Sequence, residues 1–311
     1  MTPIQPLRGR SRPGVLTGAW RSRAAYLFIL PTFLFLAYFA YYPVYLALTG
    51  AFTNWDGFLQ RDYVGLDNFK RALTDPVSGI AVKNNLIWMG FGLILSIVPA
   101  FFIAELIFHL RRPSHQRGFR TLFIAPIIIP ALVNILLWTY FYRGDGLINQ
   151  LLDSAGLDGF KRLWLADPKI ALYSLIFMGF PWINAFNMLI LYTGLQGISS
   201  EVLEAARLDG ATGLNRIWRI DLPLITPQLT LILLLEVVAF LQNLLTPRVM
   251  TNGGPGYSTV VPALQMYQAA IDYGEFGYSM AISVLLFMVV VSLTVLARVI
   301  AARREREANR A

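Results

Sequence analysis

Glu236, Phe240 and Asn243 stand at i, i+4 and i+7, so a carboxylate, an aromatic ring and an amide share one face of a helix there. Gln242 borders that face, and Trp182, Phe186 and Asn187 repeat the aromatic and amide theme at i, i+4 and i+5. The combination suits a polyhydroxylated molecule, whose C–H face stacks on a ring while its hydroxyls donate to the oxygens. Three readings of Glu236 stand open: lining of a solute path, bonding between helices, and a proton relay. Asn134 and Trp138 repeat the i, i+4 pairing and read first as helix contacts. Glu105 reads as a snorkelling side chain or one paired with a basic neighbour such as Arg111.

Other chemistry is scarce. The chain has no Cys and only His109 and His115, which excludes thiolate chemistry and leaves little for a metal, so none is expected. No Gly-x-x-x-x-Gly-Lys-Ser/Thr phosphate cradle occurs, and an ATPase site is absent from the motifs. Gly253-Gly254-Pro255-Gly256 lacks the following Lys-Ser/Thr and reads as a turn. A membrane-embedded enzyme would need clustered acids or histidines at a membrane face, and the two His in one Arg-rich stretch make a poor site.

The elements that must position these residues are apolar. Of 311 residues, 56% are hydrophobic and 14% charged, against about a quarter charged in an ordinary soluble domain. Six stretches, 26–48, 84–108, 121–142, 170–195, 222–247 and 276–297, approach or exceed the roughly 20 residues a bilayer-crossing helix needs. Glu105 and Glu236 are the carboxylates inside them. The expected fold class is therefore an all-α membrane protein with six transmembrane helices. Its domains are a basic tail over 1–25, a membrane domain over 26–297 and a second basic tail over 298–311. The first stretch exceeds a signal-peptide core and lacks a small-residue cleavage site after it, so it reads as a retained span.

Orientation follows from 22 Arg and 4 Lys. The two tails and the second-to-third and fourth-to-fifth connections hold most of them, which places both termini in the cytoplasm. The net charge of +8 is this topology signal, and nucleic acid is not an expected partner. Pro126, Pro130, Pro181, Pro223 and Pro227 sit in or at the ends of spans and mark kinks.

The connection between the fourth and fifth stretches, 199–221, reads as a short capped helix. Ser199 or Ser200 accepts a first-turn N–H, and Glu201 and Glu204 sit near the positive end of the dipole. Asp209-Gly210 then turns the chain. Leu203, Ala206, Gly210 and Leu214 recur at i, i+3, i+7 and i+11, one thin face suited to a partner's groove.

Glu204-Ala205-Ala206, then Gly210, then Ile220-Asp221-Leu222-Pro223 keeps every spacing of a known signature. In that pattern the chain resembles the integral-membrane permease subunits of binding-protein-dependent ATP-binding-cassette importers. Tyr63-Val64-Gly65-Leu66-Asp67-Asn68-Phe69 and the run from Leu245 through Gly253-Gly254-Pro255-Gly256 to Ser283 are similar to the carbohydrate branch, the maltose and glycerol-phosphate type. The resemblance implies a type I importer permease fold, an inner membrane of a prokaryote, and a coupling helix with Glu204, Ala205, Ala206, Asp209 and Gly210 docked on an ATPase. It also implies a second permease subunit, two ATPase subunits that carry ATP and Mg, an extracytoplasmic solute-binding protein and a sugar-like solute. No cofactor is expected on this chain, and membrane lipid surrounds it. Trp182, Phe186, Asn187, Glu236, Phe240, Gln242 and Asn243 resemble sugar-contacting positions, with Glu236 in place of a small hydroxyl residue. The large outer insertion of the maltose-type subunit is absent, the connection here being 143–169. The competing expectation is a proton-coupled secondary carrier that uses Glu236 as its relay, although paired broken repeats are not detected.

Overall fold

The structure, a computed structural model, describes residues 23–308. The expected amino-terminal tail lies outside the described residues apart from its last three positions, as do residues 309–311. The chain divides into two compact units, Met1–Thr49 and Gly50–Ala311. In the first, α1 (Arg23–Phe35) passes through a π-helical turn (Leu36–Tyr41) into α2 (Tyr42–Gly50). Every residue from Tyr26 to Tyr45 is exposed, as suits a helix whose side chains are apolar all round.

The second unit holds α3 (Asp67–Thr74), α4 (Pro76–Phe108), α5 (Pro113–Ile124), α6 (Ala131–Phe141), α7 (Leu147–Ser154), α8 (Ala171–Phe177), α9 (Ala185–Gln196), α10 (Ser200–Leu208), α11 (Gly213–Arg216), α12 (Leu222–Leu224), α13 (Thr226–Leu241), α14 (Leu245–Met250), α15 (Pro262–Tyr267) and α16 (Phe276–Ala308). Among the described residues the only extended pairing is an isolated bridge between Thr53 and Tyr63.

Local chemistry sets the ends. Asp75 accepts from Val77 N at 2.8 Å and Pro76 fills the first position of α4, where its missing N–H is no loss. Pro113 opens α5 and Pro262 opens α15 in the same way. These starts lie well before the apolar runs, so α4 begins eight residues ahead of the 84 expected from hydropathy.

Among the described residues, four helical stretches are long and apolar enough to cross a membrane: Tyr26–Gly50, Pro76–Phe108, Thr226–Met250 and Phe276–Val299. The helices Pro113–Ile128 and Ala131–Phe141 meet the same length and composition test only when taken together, and they are bent by 84° to one another. The bend falls where Pro126 and Pro130 each lack an N–H, Pro126 inside a 3₁₀ turn (Ala125–Ile128) and Pro130 capping α6. The stretch expected as one span over 170–195 is two helices, α8 and α9, because Gly179 and Trp182 take φ of 93° and 56° and Pro181 lies between them. The stretch over 222–247 is likewise interrupted after Leu241.

The main core joins α4, α9 and α13. Ala100, Phe101, Ala104 and Ile107 pack on Met188, Leu191, Tyr192 and Leu195, with Ile225 and Ile232 closing the third side. In lipid, where apolar surface is already solvated, association rests on close packing, and small residues permit it. Gly194 is such a point, since a Cβ there would come within 2.9 Å of the Gln228 side chain. A second core around Trp88, Ile135, Leu175, Val261 and Leu264 holds the other end of α4. The helix α4 therefore runs through both cores.

Candidate solute cavity and coupling segment

On α13, Glu236 and Phe240 lie one turn apart and face the middle of α4. The Phe240 ring covers Gly92 so closely that a Cβ there would sit 2.4 Å from it. Asn85 donates to the Phe240 carbonyl at 3.1 Å, which satisfies a carbonyl freed at the end of α13. Gly92, Ser96, Asn134, Trp182, Asn184, Glu236, Phe240, Asn243 and Thr246 line one open cavity of about 380 Å³.

The polar wall of this cavity is a clamp. Asn184 caps α9, its Oδ1 accepting from Phe186 N at 3.1 Å and Asn187 N at 3.2 Å. Its Nδ2 donates to Glu236 Oε1 at 2.9 Å and to Ser96 Oγ at 3.3 Å. Asn187 Nδ2 donates to the same Oε1 at 2.6 Å and to Ser96 Oγ at 2.8 Å. One carboxylate oxygen thus ties α13 to α9, and Ser96 ties both to α4. Glu236 Oε2 has no hydrogen-bond partner among the described residues. One oxygen of Glu236 therefore bonds helices, and the residue also lines the cavity.

Several expected members stand elsewhere. Trp182 lies in the loop before α9 rather than on its face, its Nε1 donating to Phe177 O at 3.1 Å, and its ring still lines the cavity. Phe186 is 53% exposed and Gln242 is exposed; neither lines the cavity, because the break at Pro181 and the end of α13 at Leu241 change the helical phase. Asn187 is buried and acts behind the wall. Asn243 lines the cavity from beyond the helix end. Asn134 lines it too, whereas Trp138 packs with Phe141 and Tyr142. Asn184 and Ser96 were missed by sequence reasoning; the signal for Asn184 was an amide just ahead of an apolar helical run.

The connection 199–221 forms α10 with Ser199 as its cap, accepting from Val202 N. The Ser199 hydroxyl holds the Glu201 carboxyl below the usual range. The helix ends as Ala211 N donates to Ala206 O at 2.8 Å and Gly210 N to Arg207 O at 3.1 Å, with Gly210 at φ 74°. That is a Schellman ending, which favours glycine. Because Gly210 is left-handed, Gly210 and Leu214 do not extend the face begun by Leu203 and Ala206. Ala206 itself is 3% exposed and turned into its own bundle, while Leu208 is 90% exposed. Glu204, Ala205, Asp209 and Gly210 are exposed.

Behind α10 lies a buried ionic cluster. Arg216 Nε stands 3.2 Å from Asp221 Oδ1 and 3.1 Å from Oδ2. Glu105, at 2% exposure, is neither snorkelling nor paired with Arg111: its Oε2 is 3.4 Å from His109 Nδ1. Acceptor atoms of Glu105, His109 and Asp221 fall within 4.8 Å of one another. Both Glu105 oxygens and Arg216 Nη2 lack hydrogen-bond partners. The guanidinium beside Asp221 makes this an ion cluster joining the end of α4 to the turn Ile217–Asp221.

Fold and site define a multi-pass α-helical membrane protein with a polar cavity between helices. Residues 110–306 match the family described as binding-protein-dependent transport system inner membrane component, and the chain belongs to that family. It is thus a membrane permease component of an ABC transporter and not its ATPase. A probable ABC transporter permease of Pyrococcus horikoshii is 31% identical over 84% of this chain and 90% of its own. The sn-glycerol-3-phosphate transport system permease of Pectobacterium atrosepticum is 30% identical over 92% and 95%. A bacterial ABC transporter that imports the acidic polysaccharide alginate shares the fold, with a TM-score of 0.80 at 22% identity over 93% of this chain and 98% of that one. Nothing in these comparisons supports the proton-coupled carrier.

Proposed function

We propose that this chain is the permease subunit of an importer for a polyhydroxylated, sugar-like solute. The observation that carries the reading is the cavity in which an aromatic ring, Phe240, adjoins the acceptors of Glu236, Asn243 and Asn134. The relative and the structural neighbour described above are named for a glycerol phosphate and a polysaccharide, which agrees with solutes rich in hydroxyls. Trp182, Glu236, Phe240 and Asn243 contact the solute, and Asn187 and Asn184 hold Glu236 in place. Phe186 and Gln242 have no part in this wall.

The chain pairs with a second permease and two ATPase subunits, which carry ATP and Mg, and an extracytoplasmic binding protein delivers the solute. It binds no cofactor of its own. Six membrane passages over 26–297, with the α8 and α9 region counted as one, leave both termini in the cytoplasm. Glu204, Ala205, Asp209 and Gly210, with the exposed Leu208, meet the ATPase. Ala206 anchors the helix from within. Closure of the ATPases on ATP moves α10, and the spans change between inward-facing and outward-facing states.

The test is uptake by the reconstituted complex, after mild-detergent affinity purification with mass spectrometry of its partners. Recovery of a second permease and an ATPase is expected, together with loss of uptake in Phe240→Ala without loss of assembly. Recovery of this chain alone, or unchanged uptake in Phe240→Ala, would reject the reading.

A further inference from the structure

Among the described residues that line the cavity, Glu236 is the one ionisable side chain; the other polar groups, Ser96, Asn134, Asn184, Asn243 and Thr246, are neutral. The clamp occupies Oε1 with two amide donors and leaves Oε2 without a partner. A carboxylate in that position has its charge uncompensated by any cation of this wall. In a cavity lined by Trp88, Leu95 and Phe240 the effective dielectric is well below that of water, and a like charge brought in is repelled strongly.

We infer that Glu236 is a charge filter, so that this cavity takes uncharged polyhydroxylated solutes and rejects anionic ones. The inference rests on the proposed solute path and sharpens it. It also separates this chain from proteins of the same fold or family that are named for an acidic polysaccharide and a phosphate ester. A hydroxyl of an uncharged solute donates to Oε2, whereas a phosphate or carboxylate brings a second negative charge against it.

The chain has no Cys, which gives a test independent of the solute's identity. Asn243→Cys is introduced on the cavity wall, and Leu59→Cys, at a site 98% exposed, as a reference. The assembled complex is treated with three methanethiosulfonates of similar size, bearing trimethylammonium, sulfonate or hydroxyl, in the ATP-free and the vanadate-trapped states. Labelling is read on this chain after separation. The ratio of cationic to anionic rates at Asn243→Cys is expected to exceed that at Leu59→Cys by about tenfold, the scale of a unit charge at a partly desolvated site. Adding Glu236→Gln is expected to collapse that excess, while the reference ratio stays put. Glutamine keeps an oxygen for Asn184 and Asn187, so the clamp survives the change.

A ratio at Asn243→Cys equal to the reference, or favouring the anion, overturns the filter and leaves the path intact. No reaction of Asn243→Cys with any reagent, the hydroxyl one included, in either state overturns the solute path itself.

Discussion

Replacing Arg216 by methionine removes the one guanidinium from a buried cluster that holds two carboxylates. Asp221 is fully buried, Glu105 is 2% exposed and Arg216 is 7% exposed, so water cannot take over the lost partner. Breaking a buried pair by deleting one member typically costs about 3–5 kcal/mol, because the remaining charge is stranded. Here two acids are stranded with their oxygens within 4.8 Å of each other, and the upper half of that range applies. For a chain of this size about 2 °C is lost per kcal/mol, so the unfolding midpoint of the purified complex, followed by tryptophan fluorescence, should fall by about 8–10 °C. Glu105→Gln should do far less, staying within about 1 kcal/mol, since it leaves Arg216 and Asp221 as a balanced pair. The triple variant Glu105→Gln, Arg216→Met, Asp221→Asn removes every formal charge of the buried trio and should recover most of the loss. A midpoint for Arg216→Met within about 2 °C of the parent, or a triple variant as unstable as the single one, would refute the electrostatic account of this junction.

Three further outcomes follow from the geometry. Gly92→Ala pushes a methyl to 2.4 Å from the Phe240 ring, an overpacking worth about 1–3 kcal/mol; uptake should drop, and Phe240→Leu in the same chain should restore stability. At Gly210, φ 74° strains alanine by about 1–2 kcal/mol, and aspartate tolerates that conformation better. If the exposed turn meets the ATPase, Gly210→Asp should nevertheless be the variant that separates ATP hydrolysis from uptake, measured in proteoliposomes; equal behaviour of the two would point to backbone strain alone. The Glu201 carboxyl, held low by Ser199, supports the start of α10 above its unfolded pKa and loses that support as pH falls through the depressed folded value. Ser199→Ala should bring its carbon-13 titration back up toward the ordinary glutamate range.

Much of the architecture is legible in composition and spacing. The long apolar runs mark α4, α13 and α16, and the prolines at 126, 130 and 181 foretell interruptions. What they do not reveal is that an interruption changes helical phase. Reading 170–195 as one helix put Phe186 on the wall, whereas the left-handed residues at 179 and 182 rotate it outward and bring Asn184 in as cap and clamp. The pair Glu236 and Phe240 lies within one unbroken helix, and local spacing sufficed for it. The surroundings of Glu105 are not legible locally, because Arg216 and Asp221 come from a distant part of the chain. The turn at Gly210 is legible as Asp-Gly, yet its handedness is what removes Gly210 and Leu214 from the face of α10.

The seat of Phe240 on Gly92 makes the width of the cavity a shared inheritance of two helices. A larger residue at 92 is costly while the ring is present, and a smaller residue at 240 leaves a void beside the glycine. A change of cavity width at either position therefore calls for a compensating change of volume at the other.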